Sequence, residues 1–145
     1  MTTITRLANS CLTVSNDSGT TLFDPGFFTF ESDEVDLTTI GEVQRVLITH
    51  EHGDHVKPDF VRWLIDRGDD VQVYSNQAVA DLLATHDIEA SVAAPSGTTF
   101  EDVLHELIPT GARPTNRSFT IEGVLTHPGD SYEPTITAPV LALPL

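Results

Sequence analysis

Thr49-His50-Glu51-His52-Gly53-Asp54-His55 packs three of the chain's six histidines into six residues and sets an aspartate beside the last of them. With six His and thirteen Asp in 145 residues, the pattern His-x-His-x-Asp-His arises by chance in roughly one such chain in a thousand. Imidazole and carboxylate are the usual ligands of zinc and similar divalent ions, so the residues point to a metal site rather than to a solvated loop. Immediately upstream, Gln44-Arg45-Val46-Leu47-Ile48-Thr49 is a nearly continuous β-branched and apolar run, which reads as a buried strand. Ligands of α/β sheets bind in loops at the carboxyl ends of strands, which is where this cluster begins.

Outward from that strand the chain alternates helix and strand. Lys57-Pro58 opens a helix with Phe60, Val61, Leu64 and Ile65 on its buried face, and Arg67-Gly68-Asp69-Asp70 ends it at a glycine. Val71 to Tyr74 reads as the next strand, and Asn76 caps a helix from Gln77 to about His86, with Val79, Leu82 and Leu83 inward. Toward the N-terminus, Ile4 to Val14 alternates loosely and reads as one strand. Asn16-Asp17-Ser18-Gly19 is a hairpin turn, and Thr20 to Phe23 returns as a strand ending at Asp24-Pro25-Gly26. Asp24 there is either a plain turn-capping aspartate or a support for the metal ligands. Phe27, Phe28 and Phe30 are core or the wall of a substrate pocket, and Glu31 to Ile40 is an acidic loop with a short helix. From Ser91 onward short strands dominate: Ser91 to Ala94, Thr99 to Ile108, Ser118 to Ile121, Val124 to His127, and a terminal strand from Pro139 to Leu145. Pro109 to Asn116 reads as a loop, and Glu122-Gly123 as a hairpin turn. The order indicates α/β layers in one domain, 1–145.

Composition narrows the function. The formal charge is −15, with Lys57 the single lysine. Such a field repels nucleic acid and anionic membranes, but it does not exclude a small anionic substrate, because a bound divalent cation inverts the local field. No run approaches the ~20 apolar residues of a membrane span. The N-terminus lacks the layout of a signal peptide, and the lone Cys11 cannot form an internal disulfide; both give a cytoplasmic expectation.

In His50-x-His52 both rings can reach one ion if Gly53 provides a tight bend. Asp54 and His55 then point elsewhere and serve a second ion. His105 and Asp130 are further candidates by residue type and by their place at strand ends. His86, near a helix C-terminus, suits the local dipole rather than a metal.

These residues resemble the metallo-β-lactamase superfamily. Thr49 to His55 is similar to its signature, Leu22-Phe23-Asp24-Pro25-Gly26 to its early Asp-Pro-Gly turn, and His127-Pro128-Gly129-Asp130-Ser131 to the Gly-Asp-Ser/Thr segment with the bridging aspartate. His105 lies at a suitable distance for the third metal histidine. Within the family, the small bacterial hydrolases similar to ascorbate-6-phosphate lactonase are the branch most resembled. The resemblance implies a four-layer αββα sandwich. It implies that His50, His52 and His105 hold one metal, that Asp54 and His55 hold a second, and that Asp130 lies between them. Zinc is the implied ion, with manganese or iron as alternatives. A metal-bound hydroxide would attack an ester, lactone or phosphoester of a small molecule, with Asp54 orienting that nucleophile or accepting its proton. The family usually adds a final histidine from the C-terminal half, whereas no histidine follows His127 here. The expectation is therefore a sandwich lacking its C-terminal part, with an incomplete second site or with His127 substituting. An uncovered terminal strand would favour a homo-oligomer. Two other readings stand beside the hydrolase: a metal-binding but catalytically weak fragment or interaction domain, and an iron-dependent oxidoreductase on the same fold.

Overall fold

The N-terminal segment expected as one strand is two. In the computed structural model, which describes residues 1–68, 70–111 and 113–143, β1 (Thr3–Ala8) and β2 (Cys11–Asn16) form an antiparallel hairpin. Asn9 turns the chain with a left-handed φ of 50°, a conformation asparagine tolerates better than most residues. The register shifts between Arg6 and Ala8, a bulge beside the turn. The expected Asn16–Gly19 turn leads into β3 (Gly19–Phe23), antiparallel to β2.

After β3 the pairing becomes parallel. A four-residue helix α1 (Phe27–Phe30) and a 3-10 turn (Leu37–Thr39) carry the chain to β4 (Arg45–Leu47). Helix α2 (Pro58–Arg67) then crosses to β5 (Gln72–Tyr74), giving the sheet order β1-β2-β3-β4-β5. Helix α3 (Gln77–Ala84) follows, capped by Asn76, whose Oδ1 accepts from the Val79 amide at 3.0 Å. The second sheet has the order β6 (Thr98–Leu104), β7 (Thr115–Ile121), β8 (Leu125–His127) and β9 (Val140–Leu141).

Alternation along the strands builds two cores. Leu22, Val46, Ile48 and Val73 face α2 and α3, meeting Phe60, Val61, Leu64, Val79 and Leu83. Their neighbours Phe23 and Leu47 face the other way, onto Phe119, Ile121 and Leu125 of the second sheet. Strand β4 is therefore buried on both faces, as its continuous apolar run predicts. The result is a ββ sandwich whose described α2 and α3 cover the first sheet, the αββ portion of the expected αββα arrangement. The outer side of the second sheet is crossed instead by an irregular segment, in which Thr135 and Ile136 bond to Glu101 and the Ala138 amide bonds to Thr126 Oγ1.

Other boundaries differ from expectation: β7 begins at Thr115, inside the expected Pro109–Asn116 loop and three residues before Ser118, because its pairing with β6 runs on to Leu104. Ser91 to Ala94 makes only a single bridge, Tyr74 with Ser91, because the Ser91 hydroxyl accepts from the Ala93 amide and bends the chain. Strand β6 stops at Leu104, before His105, where the Glu106 amide leaves the sheet to bond the Asp130 carbonyl. The terminal strand is two residues long, and Pro144 and Leu145 lie outside the described residues, as does Asp69 beyond α2. No described helix is long and apolar enough to cross a membrane.

Candidate metal centre

The histidine loop is clasped from behind by the Asp24–Gly26 turn. Asp24 takes a left-handed φ of 46°, and its amide bonds the Leu47 carbonyl at 3.0 Å. Phe27 N–H then bonds Gly53 O, and Lys57 N–H bonds Pro25 O. The approach is so close that a Cβ on Gly26 would lie 1.8 Å from the Asp54 carbonyl oxygen. Gly53, by contrast, is not among the glycines with positive φ, and a Cβ there would meet only the Phe27 ring at 3.6 Å. The bend expected to rest on Gly53 is made instead by the His55 and Val56 amides, both bonding the His52 carbonyl at 2.9 Å. Gly26 is the glycine that close packing requires.

That turn brings the predicted residues together in two groups. His50, His52, His105 and Asp130 each offer one donor atom, all within 4.8 Å of one another, and Asp54, His55 and Asp130 do the same. The Asp130 carboxylate divides between the groups. Its Oδ1 is 3.1 Å from His55 Nε2, while its Oδ2 is 3.4 Å from His105 Nε2 and 3.8 Å from His50 Nε2. Asp54 Oδ2 stands 3.6 Å from His55 Nε2.

The imidazoles are oriented by bonds on their far nitrogens. His50 Nδ1 meets Thr49 Oγ1 at 3.1 Å, His55 Nδ1 meets Asp24 Oδ2 at 2.7 Å, and His105 Nδ1 meets the Glu106 carbonyl at 2.7 Å. Each contact places a proton on Nδ1 and turns Nε2 toward the cluster, the arrangement that metal-binding histidines take from their supporting groups. His105 Nε2 is buried with no hydrogen-bond partner, an arrangement native proteins avoid unless something else satisfies the atom. His52 presents Nδ1 3.1 Å from His50 Nε2, close to the roughly 3.3 Å that separates nitrogens on a tetrahedral ion with 2.0–2.1 Å bonds. Three nitrogens and a carboxylate oxygen suit a borderline-soft divalent ion. On these observations the residues present fit a metal.

Asp24 bonds Thr49 and His55 rather than only capping its own turn. It is fully buried; Oδ1 accepts the Thr49 amide at 2.8 Å, and Oδ2 accepts the Thr49 hydroxyl at 2.9 Å as well as His55. Burial works against its charge, but the imidazoles of His55 and His127 hold its carboxyl below the usual range. Burial also disfavours a charged His55, yet Asp24 and Asp130 overcome it and raise its pKa to about 10. Burial and the neighbouring His55 charge push His50 down to about 3. Asp130 is lowered to about 2, its burial outweighed by the bond from His55.

The structure brings His50, His52, Asp54, His55, His105 and Asp130 into one place and leaves two histidines out. His127 spends both nitrogens on backbone, with Nε2 on the Ser10 carbonyl at 2.9 Å and Nδ1 on the Gly129 amide at 3.1 Å, so it does not substitute as a ligand. His86 is exposed after α3. Sequence reasoning missed Asn116 and Asn76. Asn116 is fully buried, donates to the Pro128 carbonyl at 2.7 Å and accepts the Asp130 amide at 3.3 Å. Asn76 Nδ2 ties the Thr49 carbonyl, just beyond β4, to the Thr115 carbonyl at the start of β7. Asn76 was legible only as a helix cap, and nothing local marks Asn116.

A cavity of about 410 Å³ opens beside Asp54, His55 and Asp130, bounded by the β1–β2 turn on one side and by Ala142 and Leu143 on the other. Its size is in the range of small-molecule sites.

The pattern of the metallo-beta-lactamase superfamily matches residues 4–133. No curated protein matches the chain. Among solved structures, a protein from Parabacteroides distasonis, provisionally described as a metal-dependent hydrolase, superposes with a TM-score of 0.64 at 22% identity, covering 86% of this chain and 59% of that one. Igni18, a metallo hydrolase from Ignicoccus hospitalis, gives 0.60 at 18% identity, covering 90% and 61%. CmlA, a diiron β-hydroxylase from Streptomyces venezuelae, gives 0.61 at 16% identity, covering 93% and 31%. The chain thus spans about three fifths of the length of the first two structures. At these identities the likeness is one of fold.

Proposed function

We propose, because this chain belongs to the metallo-beta-lactamase superfamily, that it is the metal-binding portion of a hydrolase acting on an ester, lactone or phosphoester of a small molecule. His50, His52, His105 and Asp130 would hold one divalent ion, and Asp54, His55 and Asp130 a second. Zinc is the ion we assign to the nitrogen-rich first group. A divalent ion there supplies Lewis acidity toward a carbonyl or phosphoryl oxygen and lowers the pKa of a coordinated water toward ~7. The carboxylate of Asp54 faces the cavity and is the base assigned to take the proton from the attacking water. Asn9 Nδ2 donates to the Asp54 carboxylate at 3.5 Å, and the Ser10 hydroxyl donates to the Asp54 backbone carbonyl at 3.3 Å. Asp24 holds the His55 ring, and the cavity wall orients the substrate and limits water. The acidity of the chain, −15 overall, favours a small substrate over nucleic acid.

The observation that carries this reading is the division of one carboxylate between two sets of imidazoles, Asp130 Oδ1 toward His55 and Oδ2 toward His50 and His105. The test is metal quantification on the purified chain, followed by a screen of lactones and phosphodiesters. One to two equivalents of zinc with turnover are expected, and His52→Ala loses both. Undiminished metal in that variant overturns the site. A redox-active iron content transfers the reading to oxidative chemistry, and metal without turnover assigns the chain to binding alone.

A further inference from the structure

The cavity beside the metal centre is electrically lopsided. Its metal end carries the carboxylates of Asp54 and Asp130 with the His55 ring against both, and away from them the only guanidinium or ammonium group among the described lining residues is that of Arg6. Arg6 belongs to β1 and sits at the bulge where the β1–β2 register shifts, a device that re-aims a side chain near a site. Its Nε donates to the Asn9 carbonyl at 2.9 Å, and Asn9 in turn contacts Asp54 through Nδ2 at 3.5 Å. One residue thus tethers the guanidinium on one side and the Asp54 carboxylate on the other.

Among the described residues the other donors of Arg6 make no hydrogen bond. Arg6 makes no ion pair among them, and neither do Arg45, Arg62 and Arg67, which bond backbone carbonyls away from the site; what sets Arg6 apart is its place in the cavity lining. An arginine fork held by one nitrogen keeps its terminal nitrogens free for two parallel bonds to a carboxylate or phosphate, the geometry it matches best. Repulsion from Asp54 and Asp130 falls once those groups neutralise a cation.

We infer that the cavity accepts a substrate with an anionic group, carboxylate or phosphate, set apart from its scissile bond, and that Arg6 binds that group while the bond lies at the metal centre. This rests on the hydrolase reading for the identity of the bond, not for the binding of the anion.

The test titrates succinate and methylphosphonate into the full chain, with and without added zinc, following the arginine Nε–H resonances and affinities for wild type, Arg6→Gln and Arg6→Lys. For at least one anion, the Arg6 resonance is expected to shift saturably and the affinity to fall tenfold or more in Arg6→Gln, with Arg6→Lys between. A response confined to succinate assigns a carboxylate substrate, and one confined to methylphosphonate a phosphate ester. Equal affinity in wild type and Arg6→Gln, or no binding of either anion to wild type, overturns the inference. Failure to take up zinc sinks the hydrolase reading instead, and the comparison of variants is still read in the metal-free chain.

Discussion

The Asn116 side-chain oxygen accepts the backbone N–H of Asp130 at 3.3 Å, while its amide donates to the Pro128 carbonyl at 2.7 Å. Asn116 thereby pins both ends of the turn that presents the shared carboxylate. A Cβ on Gly129 between them would stand 2.2 Å from that same oxygen, so the turn is seated directly on the amide. Replacing Asn116 by leucine leaves the Pro128 carbonyl and Asp130 amide without their partner. Metal affinity is expected to fall 10- to 100-fold with a stability loss of about 1–3 kcal/mol. A chelator-competition titration on the folded variant measures the first, and an unchanged affinity would show that Asp130 is positioned by other contacts.

Asp24→Asn keeps the shape and removes one acceptor. Asp24 accepts from Thr49 on one oxygen and from Thr49 and His55 on the other. An asparagine that still accepts the Thr49 amide must turn its NH2 toward His55 Nδ1, which moves the ring proton to Nε2 and blocks the donor atom. We expect the Asp54–His55–Asp130 group to lose metal affinity by 10- to 100-fold while the His50 group retains its ion. The stoichiometry of zinc per chain reports it, and two tightly held equivalents would refute the role of Asp24.

Gly26→Ala and Gly53→Ala should diverge sharply. The first drives a methyl into backbone at the Asp54 carbonyl, and the second meets only a ring edge at ordinary distance. A loss of about 3 kcal/mol is expected for Gly26→Ala, against a change of less than roughly 1 kcal/mol for Gly53→Ala. Denaturation midpoints decide, and equal midpoints would contradict the packing described.

The segment across the second sheet should loosen in acid. Burial disfavours the Glu101 charge, but the Thr135 hydroxyl and the Ile136 and Thr135 amides bond its carboxylate and lower its pKa. A carboxyl whose folded pKa lies below its unfolded value contributes stability that is present above the unfolded pKa and lost as pH falls through the folded one. Hydrogen-exchange protection of the Thr135 and Ile136 amides is expected to fall over that interval in wild type. In Glu101→Gln it should be low and flat with pH; an identical profile in the two proteins would refute the link.

How much of this was legible beforehand depended on how local the causes were. The histidine cluster, the buried strand before it and the helix faces of α2 and α3 are short-range patterns, and each appeared where it was expected. His105 and Asp130 followed from a resemblance, and the structure sets them beside His50 and His55. The division of the first strand was hidden because Asn9-Ser10 carries no Gly or Pro and the loose alternation runs straight through it. Asn116 was invisible because its partners lie 12 and 14 residues away. Gly53 and Gly26 were exchanged in importance because close approach between segments leaves no trace in either segment alone.

The division of Asp130 between two donor sets would make two metal loadings, as proposed above, interdependent. An ion held by the first group would engage Asp130 Oδ2 and so restrict Oδ1, the oxygen nearest His55. By thermodynamic reciprocity, whatever the first ion does to the affinity for the second, the second does equally to the first. If two ions bind as proposed, Asp130 would be the element through which each senses the other.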